Sequence, residues 1–279
     1  MTVQSALEDR LGRFVRLEPC ERTLLHSLKR SNVERRKGAR LVNIGDATDK
    51  VWVLQSGWAV LKSHSKQHGS QILRTYLPGD FIGLAEFGTK RASHQIVMLT
   101  DGIVSEISRK RFHLKIAEYP RLASLLSALG SLNLTAFHYQ VACLNTMSAE
   151  DTLKFLLLQV CSRSRAGQFG LGDRFELPMT QVEIGQVLGL TSIYVNKLLR
   201  RFKDEGQLEI ERPYYRLLKR QAWEVETSFV DAYADIDTSW FPSEIYRPRD
   251  EKTQELPRQM ASHALNGQMV REPATLKLS

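Results

Sequence analysis

The chain has 279 residues, of which 42% are hydrophobic and 25% are charged. These values are typical of a globular protein with room for two domains, and they exclude a wholly disordered chain, a collagen and a small disulfide-stabilised scaffold. No apolar run approaches the ~18 residues of a membrane helix, and Glu8 and Asp9 lie too close to Met1 for a signal peptide. We therefore expect a cytoplasmic protein that does not contact a membrane.

The positive charge is unevenly distributed along the chain. The whole sequence has 39 Lys and Arg against 31 Asp and Glu, a net charge of +8. Residues 222–279 contain ten acids and six bases, a net −4, so residues 1–221 carry +12. This basic body favours a polyanionic partner, although charge alone fits RNA or a membrane surface as well as DNA.

Cysteine and histidine spacing bears on cofactors. Cys20, Cys143 and Cys161 are too few for a disulfide framework or for an iron–sulfur cluster held by four thiolates. We interpret each as a small buried apolar residue, with one redox-sensing thiol as the alternative. The seven histidines do not have the spacing of a metal site, so we predict no metal and no cofactor. Haem stays open, because one histidine is enough to ligate it.

The first 110 residues predict helices followed by strands. Residues 1–30 are interpreted as helical, because Leu7, Leu11 and Phe14 recur at helical spacing. From residue 31 the apolar runs become short and rich in β-branched and aromatic residues, and glycines separate them every 7 to 14 positions. That rhythm is typical of a small antiparallel barrel, so we predict a β-roll over residues 31–110.

Residues 111–147 predict a long helix with a heptad pattern. Apolar residues recur there at alternating steps of three and four: Leu122, Leu125, Leu129, Leu132, Ala136, Tyr139 and Cys143. A regular heptad pattern between two domains favours a parallel helix pair formed with a second copy of the chain. The alternative is a helix packed on its own domain.

Residues 148–221 carry the most specific pattern. Thr180 can cap a short amphipathic helix, and Gly189 then permits a tight turn. Thr191 or Ser192 can cap a second helix, and two short strands follow it as a wing. Cap, glycine, second cap and wing in this order indicate a winged helix-turn-helix, whose second helix lies in the major groove of DNA.

With a β-roll, a long helix and a winged helix-turn-helix in this order, the chain resembles the Crp/Fnr superfamily of bacterial transcription regulators. The stretches that carry the resemblance are Gly57-Trp-Ala-Val60, Leu77-Pro-Gly-Asp-Phe-Ile-Gly83, Val104-Ser-Glu-Ile-Ser108, residues 180–192 and Val195-Asn-Lys-Leu-Leu-Arg200. The resemblance implies an α+β fold whose roll is like a cyclic-nucleotide-binding domain. It also implies a homodimer on a two-fold symmetric DNA operator, contact with RNA polymerase and a signal sensed at the roll.

The resemblance implies roles for single residues as well. The base-reading positions of the family fall on Ser192, Ile193 and Lys197. Phosphate contacts are expected from Thr180, Tyr194, Arg200, Arg201 and Arg212. Lys197 can reach guanine O6 and N7, and Ile193 can meet a thymine methyl group. The cyclic AMP receptor protein reads bases with Arg and Glu where this chain has Ser192 and Ile193, so we do not expect its operator sequence to apply here.

The predicted effector pocket departs from the family pattern. In nucleotide-binding members a Gly-Glu pair binds the ribose, and an Arg-Ser or Arg-Thr pair binds the phosphate. Here Gly83 precedes Leu84, and the nearest candidates are Glu86, Arg91 and Ser93. An extra residue between arginine and serine turns one of them to the other face of a strand. We therefore expect no cyclic nucleotide, and the missing fourth cysteine excludes the iron–sulfur cluster of the oxygen-sensing members.

Residues 222–279 match nothing in the resemblance. They contain four of the nine prolines and show no sustained period, so we expect a first half docked on the body and a flexible end. We predict a regulator and no enzyme. One alternative is a cupin-like β-roll enzyme, but the chain has no histidine cluster, nucleophile elbow or phosphate loop. The other is a ligand-binding module without DNA activity.

Overall fold

The computed structural model describes residues 5–28, 32–65, 69–165, 173–234 and 236–242. The last part of the predicted C-terminal extension, from residue 243, lies outside these ranges. At the N-terminus, α1 (Ala6–Leu11) and α2 (Pro19–Leu28) bury their leucines in one shared cluster. No helix in the described ranges is long and apolar enough to cross a lipid bilayer.

The β-roll consists of two four-stranded antiparallel sheets. Its strands are β1 (Asn32–Arg35), β2 (Arg40–Val42), β3 (Lys50–Ser56), β4 (Ala59–Ser65), β5 (Gly69–Tyr76), β6 (Phe81–Ile82), β7 (Gln95–Met98) and β8 (Gly102–Ser108). The sheet orders are β1-β8-β3-β6 and β2-β7-β4-β5. Inward side chains such as Leu54, Tyr76 and Met98 fill the space between the sheets, as alternation along each strand requires.

Two helices follow the roll, α3 (Arg109–Ala117) and α4 (Pro120–Thr146). The first half of α4 packs against α1, α2 and the roll, because its leucines share a cluster with the leucines of those two helices and with Val51 and Val53 of β3. The N-terminal helices and the start of α4 therefore form one core beside the roll.

The structure buries most residues of the predicted dimer seam on α4 within the chain itself. Leu122 and Leu125 are fully buried in the chain's own core, and Leu129 and Leu132 pack against the same cluster. The face that the heptad pattern marks therefore packs on the protein's own domain, the alternative left open above.

The second half of α4 packs on the next helix, α5 (Ala149–Arg165). Ala136 and Cys143 are buried, and the Gln159 side chain of α5 donates a hydrogen bond to the Ala136 carbonyl oxygen at 3.4 Å. Ala136 and Cys143 therefore face the chain itself, whereas Tyr139 is the one exposed residue among the seven of the predicted seam.

The C-terminal domain combines helices with a small sheet. After α5 come β9 (Arg174–Glu176), α6 (Gln181–Leu188), α7 (Ser192–Asp204), β10 (Leu208–Glu211), β11 (Tyr214–Leu217) and α8 (Arg220–Glu226). The sheet order is β10-β11-β9, so the wing has a third strand besides the two that were expected. Phe175 of β9 is fully buried, which anchors this strand in the domain core.

The predicted boundary between residues 221 and 222 cuts through α8. Trp223 is fully buried, its indole Nε1 donates to Gln207 Oε1 at 2.6 Å, and its ring lies 5.0 Å from the ring of Phe202. The chain then turns back onto the body, where Phe229 packs on Phe155 of α5. The C-terminal domain thus includes α8, and the segment after it covers α5.

One hydrophobic cluster joins the roll to the C-terminal domain. Trp58, Ile72 and Leu77 of the roll belong to the same buried cluster as Ile184 and Val187 of α6. Because apolar burial is favourable at roughly 25 cal/mol per Å², this shared cluster holds the helix-turn-helix against the β4–β5 face of the roll.

Candidate nucleic-acid interface

The first helix of the helix-turn-helix begins with a complete capping box. The Glu183 backbone N–H donates to Thr180 Oγ1 at 3.2 Å, and the Thr180 N–H donates to Glu183 Oε2 at 2.7 Å. The Thr180 hydroxyl donates to the same carboxylate at 2.9 Å. Its proton is therefore used within the cap, so the expected phosphate contact from Thr180 does not fit this arrangement.

Two glycines set the turn between α6 and α7. Gly189 has φ 69°, the left-handed conformation that glycine adopts at little cost. A Cβ on Gly185 would lie 2.3 Å from the Leu190 carbonyl oxygen, so only glycine permits this close approach. The two glycines together fix the direction in which α7 leaves the turn.

Helix α7 is strongly two-sided. Thr191 caps it by accepting a hydrogen bond from the Tyr194 N–H at 3.3 Å. The buried side contains Val195, Leu198, Leu199 and Phe202. Ile193 is 82% exposed, so an apolar side chain in the first turn of the helix faces solvent.

The exposed side of α7 presents cations beside that isoleucine. Ile193, Lys197 and Arg200 are spaced at i, i+4 and i+7, so they share one face of the helix. Neither Lys197 nor Arg200 has a hydrogen-bond or ion-pair partner among the residues that the structure describes. Ser192 is half-buried and Tyr194 is exposed, both in the first turn. This face is built to meet an anionic surface.

Arg201 lies outside this face. Its guanidinium pairs with Glu150 at the start of α5, and it lies 3.7 Å from Glu205. The hydrogen bond from Arg201 holds the pKa of the Glu150 carboxyl below its ordinary value, aided by Lys154. In this structure the Arg201 side chain ties α7 to α5, so its expected phosphate contact stays a prediction.

The wing carries the remaining predicted phosphate contact. Arg212 is exposed in the turn between β10 and β11. Beside it, the Arg174 guanidinium of β9 stacks over the Tyr214 ring at 4.2 Å, a cation–π contact next to the turn of the wing. The wing thus presents Arg212 at its tip.

The predicted effector residues are only partly brought together. Glu86 is buried and accepts hydrogen bonds from the hydroxyls of Ser93, at 3.3 Å, and Thr89, at 3.2 Å. Arg91 instead donates to the Gly45 carbonyl oxygen at 2.9 Å and is exposed. The side chain expected to bind the ribose, Glu86, and the one expected to bind the phosphate, Arg91, therefore do not converge on one site. The three residues do not fit a cyclic nucleotide.

Thiols and metal-binding side chains form no centre in the described ranges. Cys143 and Cys161 are buried, and burial raises the pKa of the Cys161 thiol to about 12. No group of three or more His, Cys, Asp or Glu side chains within those ranges is arranged to hold a metal ion.

Two protein families match the chain. A family described as "Cyclic nucleotide-binding domain" matches residues 32–119. A family described as "Crp-like helix-turn-helix domain" matches residues 153–224. The second match contains α6, α7, the wing and Trp223, and the first contains the whole roll.

Curated relatives and solved structures agree with these matches. The chain is similar to "Transcriptional regulatory protein btr" of Bordetella pertussis, with 28% identity over 70% of this chain and 80% of that protein. It is also 28% identical to "Transcriptional activator protein FnrA" of Stutzerimonas stutzeri, over 66% of this chain and 75% of that protein. The structure of FixK2 from Bradyrhizobium japonicum shares the fold, with a TM-score of 0.62, 21% identity, and coverage of 70% of this chain and 96% of that one.

Three features of the site escaped the sequence analysis. Strand β9 alternates polar, apolar and polar residues, but three residues are too few to indicate a strand. The pairing of Glu150 with Arg201 joins positions far apart in the chain, which no local pattern shows. The burial of Trp223 was detectable, since a tryptophan just after two predicted strands can complete a small core.

Proposed function

We infer that the chain is a DNA-binding transcription regulator of the Crp/Fnr superfamily, and we propose that it binds a two-fold symmetric operator as a homodimer through α7 and the wing. The observation that carries the proposal is the exposed face of α7 with Ile193, Lys197 and Arg200. The relatives support this function over an enzyme or a ligand-binding module without DNA activity.

We assign two kinds of DNA contact to this face. Lys197 reads a base edge, Ile193 contacts a thymine methyl group, and Ser192 lies beside them in the first turn. Arg200, one turn further along, holds a phosphate, together with Tyr194 and Arg212 of the wing. Phosphate contacts position the protein, and base contacts select the sequence.

The dimer contact is a second stripe on α4, which we name the outer stripe. It consists of Leu134, Phe137, Val141 and Leu144, at steps of three, four and three. Leu134 and Phe137 are 54% and 47% exposed, and the other two are 40% exposed. In sequence, α4 contains one arginine and no acid, so this is not a solvated charged face. A self-complementary heptad stripe suits a two-fold pair of identical helices.

The proposal also includes how the bound protein affects transcription. One relative is named as a transcriptional activator, and we infer that this protein acts on transcription by contacting RNA polymerase. Its place of action is then the cytoplasm, where DNA and polymerase are found. Transcription with purified polymerase from a template that carries the operator, with and without the protein, tests the contact. Equal transcript levels would contradict it.

The operator itself provides the direct test of the dimeric arrangement. The purified chain selects duplexes from a random DNA library, and the retained sequences are read. We expect an inverted repeat whose half-sites lie about 34–36 Å apart, one helical turn. A control variant on α3, Lys110→Met, should select the same repeat, since Lys110 is exposed on a helix that packs against α2, α4 and β8. Recovery of a single half-site or of no common sequence would overturn the proposal.

A further inference from the structure

A cavity of about 500 Å³ lies where the roll, α4, α5 and the C-terminal segment meet. Its wall is mainly apolar and includes Leu61, Ile72, Leu126 and Phe137. This volume falls in the range of pockets that hold small organic molecules. The cavity is separate from the smaller one lined by Glu86, so it is not the pocket expected from the sequence.

One end of the cavity carries a buried charge cluster of Arg10, Asp80 and Arg163. Arg10 Nη2 lies 3.0 Å from one Asp80 carboxylate oxygen, and Arg163 Nη2 lies 2.6 Å from the other. Arg163 also donates to the carbonyl oxygen and hydroxyl of Thr75, at 2.9 and 3.0 Å. The Arg10 and Asp80 residues are each only 4% exposed. The cluster is therefore held rigidly and away from water.

The positive charge of this cluster is not balanced. Arg10, Arg74 and Arg163 all line the cavity, whereas Asp80 is the one carboxylate that does so among the described residues. Arg10 Nη1 and Arg163 Nε are buried without a hydrogen-bond partner in the same part of the chain. Burial, together with Arg163 and Arg74, lowers the pKa of Arg10 against the opposing effect of Asp80. Buried cationic donors without a partner are costly, and an anion relieves that cost.

The other ionisable groups that line the cavity do not neutralise this excess positive charge. His94 is paired with Glu86 at 3.2 Å, and the Tyr233 hydroxyl donates to Asn133 Oδ1 at 2.9 Å. The Arg74 guanidinium lies over the Tyr76 ring, 5.1 Å from its centre. Arg10 and Tyr233 lie outside the segments that the two families match, whereas Asp80 and Arg163 lie within them.

We propose that the cavity binds a small organic anion, with its carboxylate or phosphate head at Arg10 and Arg163 and its apolar body along α4 and the roll. A guanidinium binds either head group through paired hydrogen bonds, and the apolar wall selects a ligand with a hydrocarbon body over inorganic anions. Asp80 keeps one donor of each arginine, and the unpartnered Arg10 Nη1 and Arg163 Nε are left for the ligand.

Calorimetric titration of the full chain with octanoate, octyl phosphate and 1-octanol tests the proposal. We expect at least one of the two anions to bind, and 1-octanol to bind at least tenfold more weakly than that anion. The tighter anion identifies the head group. Arg10→Met should weaken the anion at least tenfold, whereas the matched control Arg36→Met, which removes the same charge from an exposed turn, should not.

A second variant keeps the test decisive if Arg10→Met unfolds. Leu126→Trp fills the cavity from α4 and leaves the charge cluster untouched, so it should abolish binding while circular dichroism stays unchanged. No heat with either anion, or equal affinity in the wild-type and Leu126→Trp proteins, would overturn the proposal. The titration contains no DNA, so its outcome is independent of the proposed operator binding.

Discussion

Helices α4 and α7 each bury one face in their own chain, but they leave opposite chemistry on the other face. On α4 the exposed face is the apolar outer stripe around Phe137. On α7 it is a row of cations, Lys197 and Arg200, next to one exposed isoleucine. An exposed apolar stripe requires a protein partner, whereas an exposed cationic face suits a polyanion.

The difference also explains why the buried face of a helix does not identify its partner. Most heptad residues of α4 are buried by α1, α2, α5 and the roll, whereas the outer stripe proposed to meet a second copy lies on the other side of the helix. In α7, the packing within one local motif, the helix-turn-helix, determines which face is buried and which is exposed.

The largest effect is expected at the outer stripe. In the double variant Leu134→Lys with Phe137→Lys, each lysine would be buried unpaired at the dimer interface, at about 3–5 kcal/mol each. Sedimentation should therefore show monomers with native circular dichroism. Ala142→Lys adds one such charge at an exposed position of α4 outside the stripe, and this control should stay dimeric. A dimeric double variant would refute the outer stripe.

The opposite face of α4 should respond in the opposite way. Leu125→Ala removes a fully buried side chain from the core that α4 shares with α1 and α2, so it should lower the free energy of unfolding by about 2–5 kcal/mol. Below the unfolding transition, sedimentation should still show a dimer. If the Leu125→Ala dimer dissociated without a loss of stability, Leu125 would belong to the dimer interface instead of the core.

Alanine substitutions at two helical glycines should change the stability of the protein in opposite directions. Gly185→Ala should destabilise the protein by about 1–3 kcal/mol, because its Cβ would meet the Leu190 carbonyl oxygen. Gly130→Ala in α4 has open space, so it should stabilise the helix by about 0.5–1 kcal/mol. Thermal unfolding of both variants measures the two signs. Equal stabilisation would show that the turn does not need glycine at residue 185.

The smallest effect is expected at Arg201. Because this side chain pairs with Glu150, Arg201→Ala should leave the slope of log affinity for DNA against log salt unchanged. Arg200→Ala, its neighbour on the exposed face, should reduce the slope by about one unit. Fluorescence anisotropy at several salt concentrations compares the two. A reduced slope for Arg201→Ala would restore its phosphate contact.

How much of this could be predicted from the sequence differs between the two helices. The cap at Thr180, the turn glycine and the two-sided α7 follow from local patterns, and the roll follows from the rhythm of strands and glycines. The partner of each α4 face, the pairing of Arg201 and the cluster of Arg10 with Asp80 and Arg163 depend on packing between distant segments. No local period encodes such contacts, so the structure was needed for them.

The separation of base reading from phosphate binding on α7 is the central claim, and DNA affinity measured on two duplexes tests it most directly. Lys197→Ala should lose about 1–3 kcal/mol on the selected operator and relax the preference at one symmetric position in each half-site. Arg200→Ala should weaken the operator and an unrelated duplex alike. Intact sequence preference in Lys197→Ala, with altered preference in Arg200→Ala, would contradict the assignment.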